Sequence, residues 1–142
     1  MSIWKRNVSV EELNGHLVDT LGETLDIRVE QINDDNLVVS MPVDKRTHQP
    51  YGILHGGASV ALAETAGSIA ASLIAEEGKA VVGLEINANH LRKVTSGRVY
   101  ATASPVHAGR ATQVWDIRIA DEEGRPVCIS RLTMAVVDPV KK

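Results

Sequence analysis

The sequence predicts an α+β fold in which an antiparallel sheet wraps around one long central helix. Three observations predict it. One segment of helical length, 56–75, is almost free of charge and rich in Gly, Ala, Ser and Thr. Strand-like segments come in blocks, two before that helix and four after it. Strands and helices do not alternate, which argues against a doubly wound parallel sheet.

Each element follows from local chemistry. Ser9-Val10-Glu11-Glu12 reads as a capping box that opens a short helix, and Asn14-Gly15 stops it. Leu25, Ile27 and Val29 alternate with Asp26, Arg28 and Glu30, so 25–32 is expected to be a half-buried strand. The polar run Asn33-Asp34-Asp35-Asn36 turns the chain into a second strand at 37–41. Pro42, Pro50 and Gly52 make 42–54 a loop, and the long helix follows. Small residues along that helix predict close approach on nearly every side. Glu76-Glu77-Gly78-Lys79 ends it, and strands are expected at 81–89, 98–104, 112–120 and 126–137. In the third of these Val114, Ile117 and Ile119 carry the alternation, with Trp115 among them. Glu122-Glu123-Gly124-Arg125 is the hairpin turn before the last.

Composition narrows the function. A chain of 142 residues supports one domain with a real core, spanning 1–142, and leaves no room for a second. Phe is absent, and the aromatics are Trp4, Tyr51, Tyr100 and Trp115, so aliphatic residues and Ala must build the core. The net charge is −3 without a basic stripe, which disfavours nucleic acid as a partner. The single cysteine, Cys128, excludes an internal disulfide and a cysteine-based metal cluster, and its apolar neighbours read as a buried thiol. His55, Glu64 and His90 do not form a zinc motif of the H-E-x-x-H type, and neither a P-loop nor G-x-S-x-G is present, so no metal or cofactor is expected. Residues 56–75 match a membrane span in length. A mid-segment carboxylate costs ~3 kcal/mol in lipid, so a helix buried against a sheet is the better reading, with no membrane partner. The N-terminal residues lack an apolar signal core, which makes a cytoplasmic protein the expectation.

The helix carries the chemistry. Its start, Leu54-His55-Gly56-Gly57-Ala58, gathers free N–H groups at the positive end of the dipole. Such a terminus suits an anion or a developing oxyanion, although two glycines also serve a tight entry into a helix. Glu64 is the only charge on the helix, with no Lys or Arg a turn away to pair it. A buried carboxylate is costly unless paired or used. Ala61, Glu64, Thr65 and Ser68 share a face, so two hydroxyls flank the carboxylate. Glu64 lies eight residues past Gly56, roughly 12 Å along the axis at ~1.5 Å per residue. If both act on one atom they come from different subunits, with the helices antiparallel across a two-fold axis. Gln49, in the preceding loop, has an amide able to orient a carbonyl, whereas His48 reads as solvated. His90, Arg92 and Lys93 follow one strand and His107, Gly109 and Arg110 another; these cations could meet phosphates or simply be solvated.

Longer stretches carry a resemblance: Ile3-Trp4-Lys5-Arg6, MPVDKRTHQPYGILHGGASVALAET (41–65), VVGLEINANH (81–90), Gly109-Arg110, QVWDI (113–117) and SRLT (130–133). On these the chain resembles, nearly end to end, the hotdog-fold thioesterases. It looks closest to the bacterial branch that acts on dihydroxynaphthoyl-CoA in menaquinone synthesis and proofreads enterobactin synthesis. The resemblance implies hydrolysis of an aromatic acyl-CoA, of the dihydroxynaphthoyl or hydroxybenzoyl type. It implies Glu64 as nucleophile or general base, the Gly56 N–H as the carbonyl's donor with His55 beside it, and Gln49, Thr65 and Ser68 as further site residues. Coenzyme A contacts are implied at Gly83, His90, Arg92, His107, Gly109 and Arg110. A homodimer with composite sites, assembled into a homotetramer, is the implied partner, and an acyl or aryl carrier protein is a further one. Tyr51 and Ala108 stand where close members carry Phe and Leu, and both bear on substrate choice. Two alternatives remain open on this fold: a non-catalytic acyl-CoA-binding module, and an acyl hydratase with His55 facing the carboxylate.

Overall fold

The computed structural model describes residues 1–140. Ser9 caps the first helix, α1 (Val10–Gly15), by accepting the Glu12 N–H at 3.1 Å. A second helix, α2 (Leu21–Thr24), was not expected: it is one turn long, and Thr20 caps it through Gly22 N–H. The turn out of α2 takes Asp26 to a φ of 54°, so the strand expected from residue 25 begins only at β1 (Arg28–Ile32). Arg98 pins that turn, donating to the Asp26 carbonyl at 2.9 Å and to Ser40 Oγ at 3.0 Å. Burial raises the Asp26 carboxyl, but hydrogen bonds and charge from Arg28 and Arg98 outweigh it and leave the group below the ordinary aspartate range.

The remaining elements are β2 (Leu37–Pro42), α3 (Gly56–Ile74), β3 (Ala80–His90), β4 (Arg98–Ala108), β5 (Thr112–Ala120) and β6 (Pro126–Val137). All the strands join one antiparallel six-stranded sheet in the order β1-β2-β4-β5-β6-β3. β3 follows α3 directly, yet it pairs with the last strand and becomes an edge. In β5 the buried face is Gln113, Trp115, Ile117 and Ile119, while Val114 sits on the other face. The period was right, but the expectation mixed the two faces. The polar Gln113 faces inward because it is used: it accepts the Trp115 indole N–H at 2.8 Å and donates to the Ala71 carbonyl at 3.3 Å.

α3 lies along the sheet with Leu62, Ala63, Ala66, Gly67, Ala70, Ala71 and Leu73 buried. Its opposite side, including Val60, Ala61, Glu64, Thr65 and Ser68, is only half-buried. The expected burial on nearly every side is therefore met on one face alone within one chain, because a single sheet covers only one side of a helix. Closest approach comes at Gly67, where a Cβ would lie 2.5 Å from Leu132 Cδ2 and 3.0 Å from Ile117 Cδ1. Gly67→Val should lower stability by about 1–3 kcal/mol through overpacking. Urea unfolding checks this as a lower midpoint at unchanged slope.

The N-terminal segment closes the other end of the helix. Lys5 N–H donates to the Leu73 carbonyl at 2.8 Å, satisfying one of the last acceptors of α3. Trp4 stacks on Trp115, with ring centroids 6.3 Å apart and planes 4° from parallel. Cys128 is buried, and that burial pushes its thiol above the ordinary range, as suits an inert core residue.

Candidate active site

The start of α3 is built from a loop fixed at several points. The Arg46 guanidinium and backbone N–H bond Asp44 and pull its carboxyl down to about 2. Thr47 Oγ1 donates to the Pro42 carbonyl at 2.8 Å, and Thr47 O accepts the His55 N–H at 2.8 Å. Leu54 N–H donates to Val94 O at 2.8 Å, tying the loop to the segment after β3. His48, expected to be solvated, is half-exposed and also places Nε2 3.0 Å from the Thr95 carbonyl, where the loop bridges back between residues 48 and 54. Gln49 heads a turn closed by Gly52 N–H on its carbonyl at 2.9 Å, and its Oε1 accepts the Tyr51 N–H. That leaves the Gln49 amide nitrogen without a partner among the described residues.

His55 is the N-cap of α3, and its Nδ1 accepts the Gly57 N–H at 2.8 Å. The Gly56 N–H bonds to no described residue, as befits the first N–H of a helix. His90, at the end of β3, lays its ring over Gly56: a Cβ there would lie 3.0 Å from His90 Nε2. A cavity of about 400 Å³ opens beside this terminus, lined by Gln49, Gly56, Ser59, His90, Arg92 and Lys93 among others. Five residues singled out from the sequence, Gln49, Gly56, His90, Arg92 and Lys93, thus meet at one place. Ser59 was missed, though it lies one turn past Gly56 and helical spacing would have found it. Tyr51 is 89% exposed and does not line this cavity.

Glu64 lies further along the same helix. Its carboxylate bonds to no described residue and rests against β3, where a Cβ on Gly83 would meet Glu64 Oε2 at 2.5 Å. The flanking hydroxyls are partly used. Thr65 Oγ1 donates to the Ala61 carbonyl at 2.7 Å, and Ser68 Oγ faces Met134 Sδ at 3.9 Å. Within one chain eight residues of helix separate Glu64 from Gly56, about 12 Å along the axis.

The expected coenzyme A contacts divide. Gly109 and Arg110 line a second cavity of about 400 Å³ at the C-terminal end of α3, with Lys5, Lys79 and Gln113. By the rise of a helix, that is about 25 Å from the first cavity. His107 is exposed near the end of β4 and packs on Gly109, whose Cβ would fall 2.7 Å from His107 Nε2. Lys5 was missed because only the fold brings the N-terminus to Arg110. Among the described residues, no group of three or more His, Cys, Asp or Glu is placed to hold a metal ion.

The sequence and the fold both have known counterparts. The model of the thioesterase superfamily matches residues 51–128. A 1,4-dihydroxy-2-naphthoyl-CoA hydrolase of Escherichia coli is 53% identical over 135 residues, covering 95% of this chain and 99% of the relative. A proofreading thioesterase of Cronobacter turicensis is 53% identical over 135 residues, covering 95% and 98%. A crystal structure of a Haemophilus influenzae thioesterase superposes with a TM-score of 0.95 at 50% identity, covering 98% of this chain and 97% of that one.

Proposed function

The chain belongs to the thioesterase superfamily, with the hotdog fold, and we propose that this thioester hydrolase acts on aromatic acyl-CoA esters, using Glu64 as nucleophile or general base. The observation that carries the reading is the unspent Gly56 N–H at the positive end of α3, beside Gln49 and away from the one carboxylate of that helix. The thioester carbonyl oxygen sits at the Gly56 N–H, where the helix terminus stabilises the negative charge of the tetrahedral intermediate. Gln49 orients the ester from the loop. Glu64 either takes a proton from the attacking water or attacks the carbonyl itself, forming an anhydride that water then opens. Either way the C–S bond breaks, coenzyme A leaves as the thiol, and the acid is released. His90 and Arg92 at the first cavity and Arg110 at the second are the donors that suit the coenzyme's phosphates, with Gly109, His107 and Gly83 near its path.

The 12 Å gap makes the working unit a homodimer, with Glu64 of one protomer serving the helix terminus of the other. Antiparallel helices that bring these two groups together have their two-fold axis beside Val60, midway between them, on the half-open side of α3. The β3 edge supports this, with Val82 49% and Leu84 60% exposed on a strand paired on one side only. A homotetramer of two such dimers in the cytoplasm completes the reading. The named substrate of the E. coli relative is an aromatic acyl-CoA, which supports that acyl class. The relative named for proofreading favours a second reading, action on a misacylated carrier protein. Thiol release from a panel of aromatic and straight-chain acyl-CoA esters separates the classes. The expected result is a kcat/KM at least about tenfold higher for the aromatic esters; a straight-chain preference overturns the assignment.

A further inference from the structure

Gly83 has no conformational reason to be glycine. Its φ lies outside the left-handed region that Gly52, Gly78, Gly97 and Gly124 occupy, so any residue fits its backbone. It sits inside β3, where glycine weakens a strand and often marks a bulge or a close approach. Both apply here. The register with β6 slips between Gly83 and Glu85, leaving Leu84 as the extra residue. The atom closest to the missing side chain is Glu64 Oε2, 2.5 Å from where a Cβ would be, followed by Glu64 Cδ at 3.5 Å and Met134 Sδ at 3.9 Å. The obstruction is thus the far end of a flexible side chain and not the backbone. The fold itself would tolerate alanine, but the carboxylate would have to move. Nothing else holds it, since Glu64 bonds to no described residue of its own chain.

We propose that Gly83 is a positioning residue whose absent side chain seats the Glu64 carboxylate at the β3 bulge. The inference rests on the assignment of Glu64 as the reacting carboxylate. Displacing a reacting group by about 1 Å can cost on the order of 10²-fold in rate. Gly83→Ala should therefore lower kcat by about 10–100-fold, with KM, inhibition by free coenzyme A, melting temperature and oligomeric state unchanged. The second arm is the same change in a Glu64→Asp background. One methylene fewer withdraws the carboxylate from residue 83, so Gly83→Ala should then cost less than about threefold.

A loss expressed in KM and coenzyme A affinity would make Gly83 a ligand contact and overturn the proposal. So would an equal kcat loss in both backgrounds, or a loss explained by dissociation of the oligomer. Wild-type kcat in Gly83→Ala, alongside an inactive Glu64→Gln, overturns the seat alone. An active Glu64→Gln instead overturns the reading on which the seat depends.

Discussion

Replacing Glu64 by Gln is expected to lower kcat for thioester hydrolysis by about 10²–10⁴, with KM within a few fold of wild type. The amide keeps the size of the carboxylate but can neither take a proton from water nor form an anhydride. Two features make this substitution clean. Glu64 forms no hydrogen bond or ion pair with a described residue, so no bond of the fold is broken. It is also half-buried on an otherwise uncharged helix, where a neutral side chain costs less than a charged one. The variant should therefore melt no lower than wild type, and the lost activity cannot be put down to unfolding. Thiol release with a benzoyl-type CoA ester measures the rate. Undiminished turnover would remove Glu64 from the chemistry, and absent turnover in the wild type would favour a binding module.

Much of this site could be read from the sequence because its parts lie close together along the chain. Gln49, His55, Gly56 and Glu64 fall within one loop and two turns of helix, where spacing alone fixes the 12 Å problem. The long helix was equally plain, since a run of small residues with one charge has few other uses. What escaped depended on tertiary neighbours. α2 is a single turn containing Gly22, too short for periodicity to register. The inward face of β5 was misread because Gln113 is polar, and its burial is legible only once the Ala71 carbonyl and the Trp115 indole are seen to need it. Strand order was not encoded locally either. β3 reaches past β4 and β5 to pair with β6, and that pairing puts His90 over Gly56 and Gly83 against Glu64. The sequence named Gly83 and His90 as coenzyme contacts through resemblance. The structure adds that each also touches a residue of the proposed reaction.

Two inactive variants should restore activity when mixed. Glu64→Gln removes the carboxylate and leaves the helix terminus intact. Gly56→Pro does the reverse. Position 56 is the first residue of α3, where proline is favoured and where its missing N–H deletes the proposed oxyanion donor. The preceding His55, at φ −69° and ψ 131°, already has the extended backbone that proline requires of its neighbour. The His90 ring, 3.0 Å from the Cβ position, must give slightly. Alone, Gly56→Pro should lose about 10²–10³ in kcat. In a mixed dimer, the Gly56→Pro chain offers its Glu64 to the intact terminus of the Glu64→Gln chain, which rebuilds one whole site. The other site lacks both groups. Random exchange makes half the dimers mixed, so about a quarter of wild-type activity should return after the variants are unfolded and refolded together. Refolding each alone and then mixing briefly should return none, because the subunits have not exchanged. If each chain instead serves its own helix terminus, every chain in the mixture stays broken and co-refolding restores nothing. The 12 Å along α3 decides between these outcomes: a Glu side chain cannot cover that distance to its own terminus, but an antiparallel neighbour removes it.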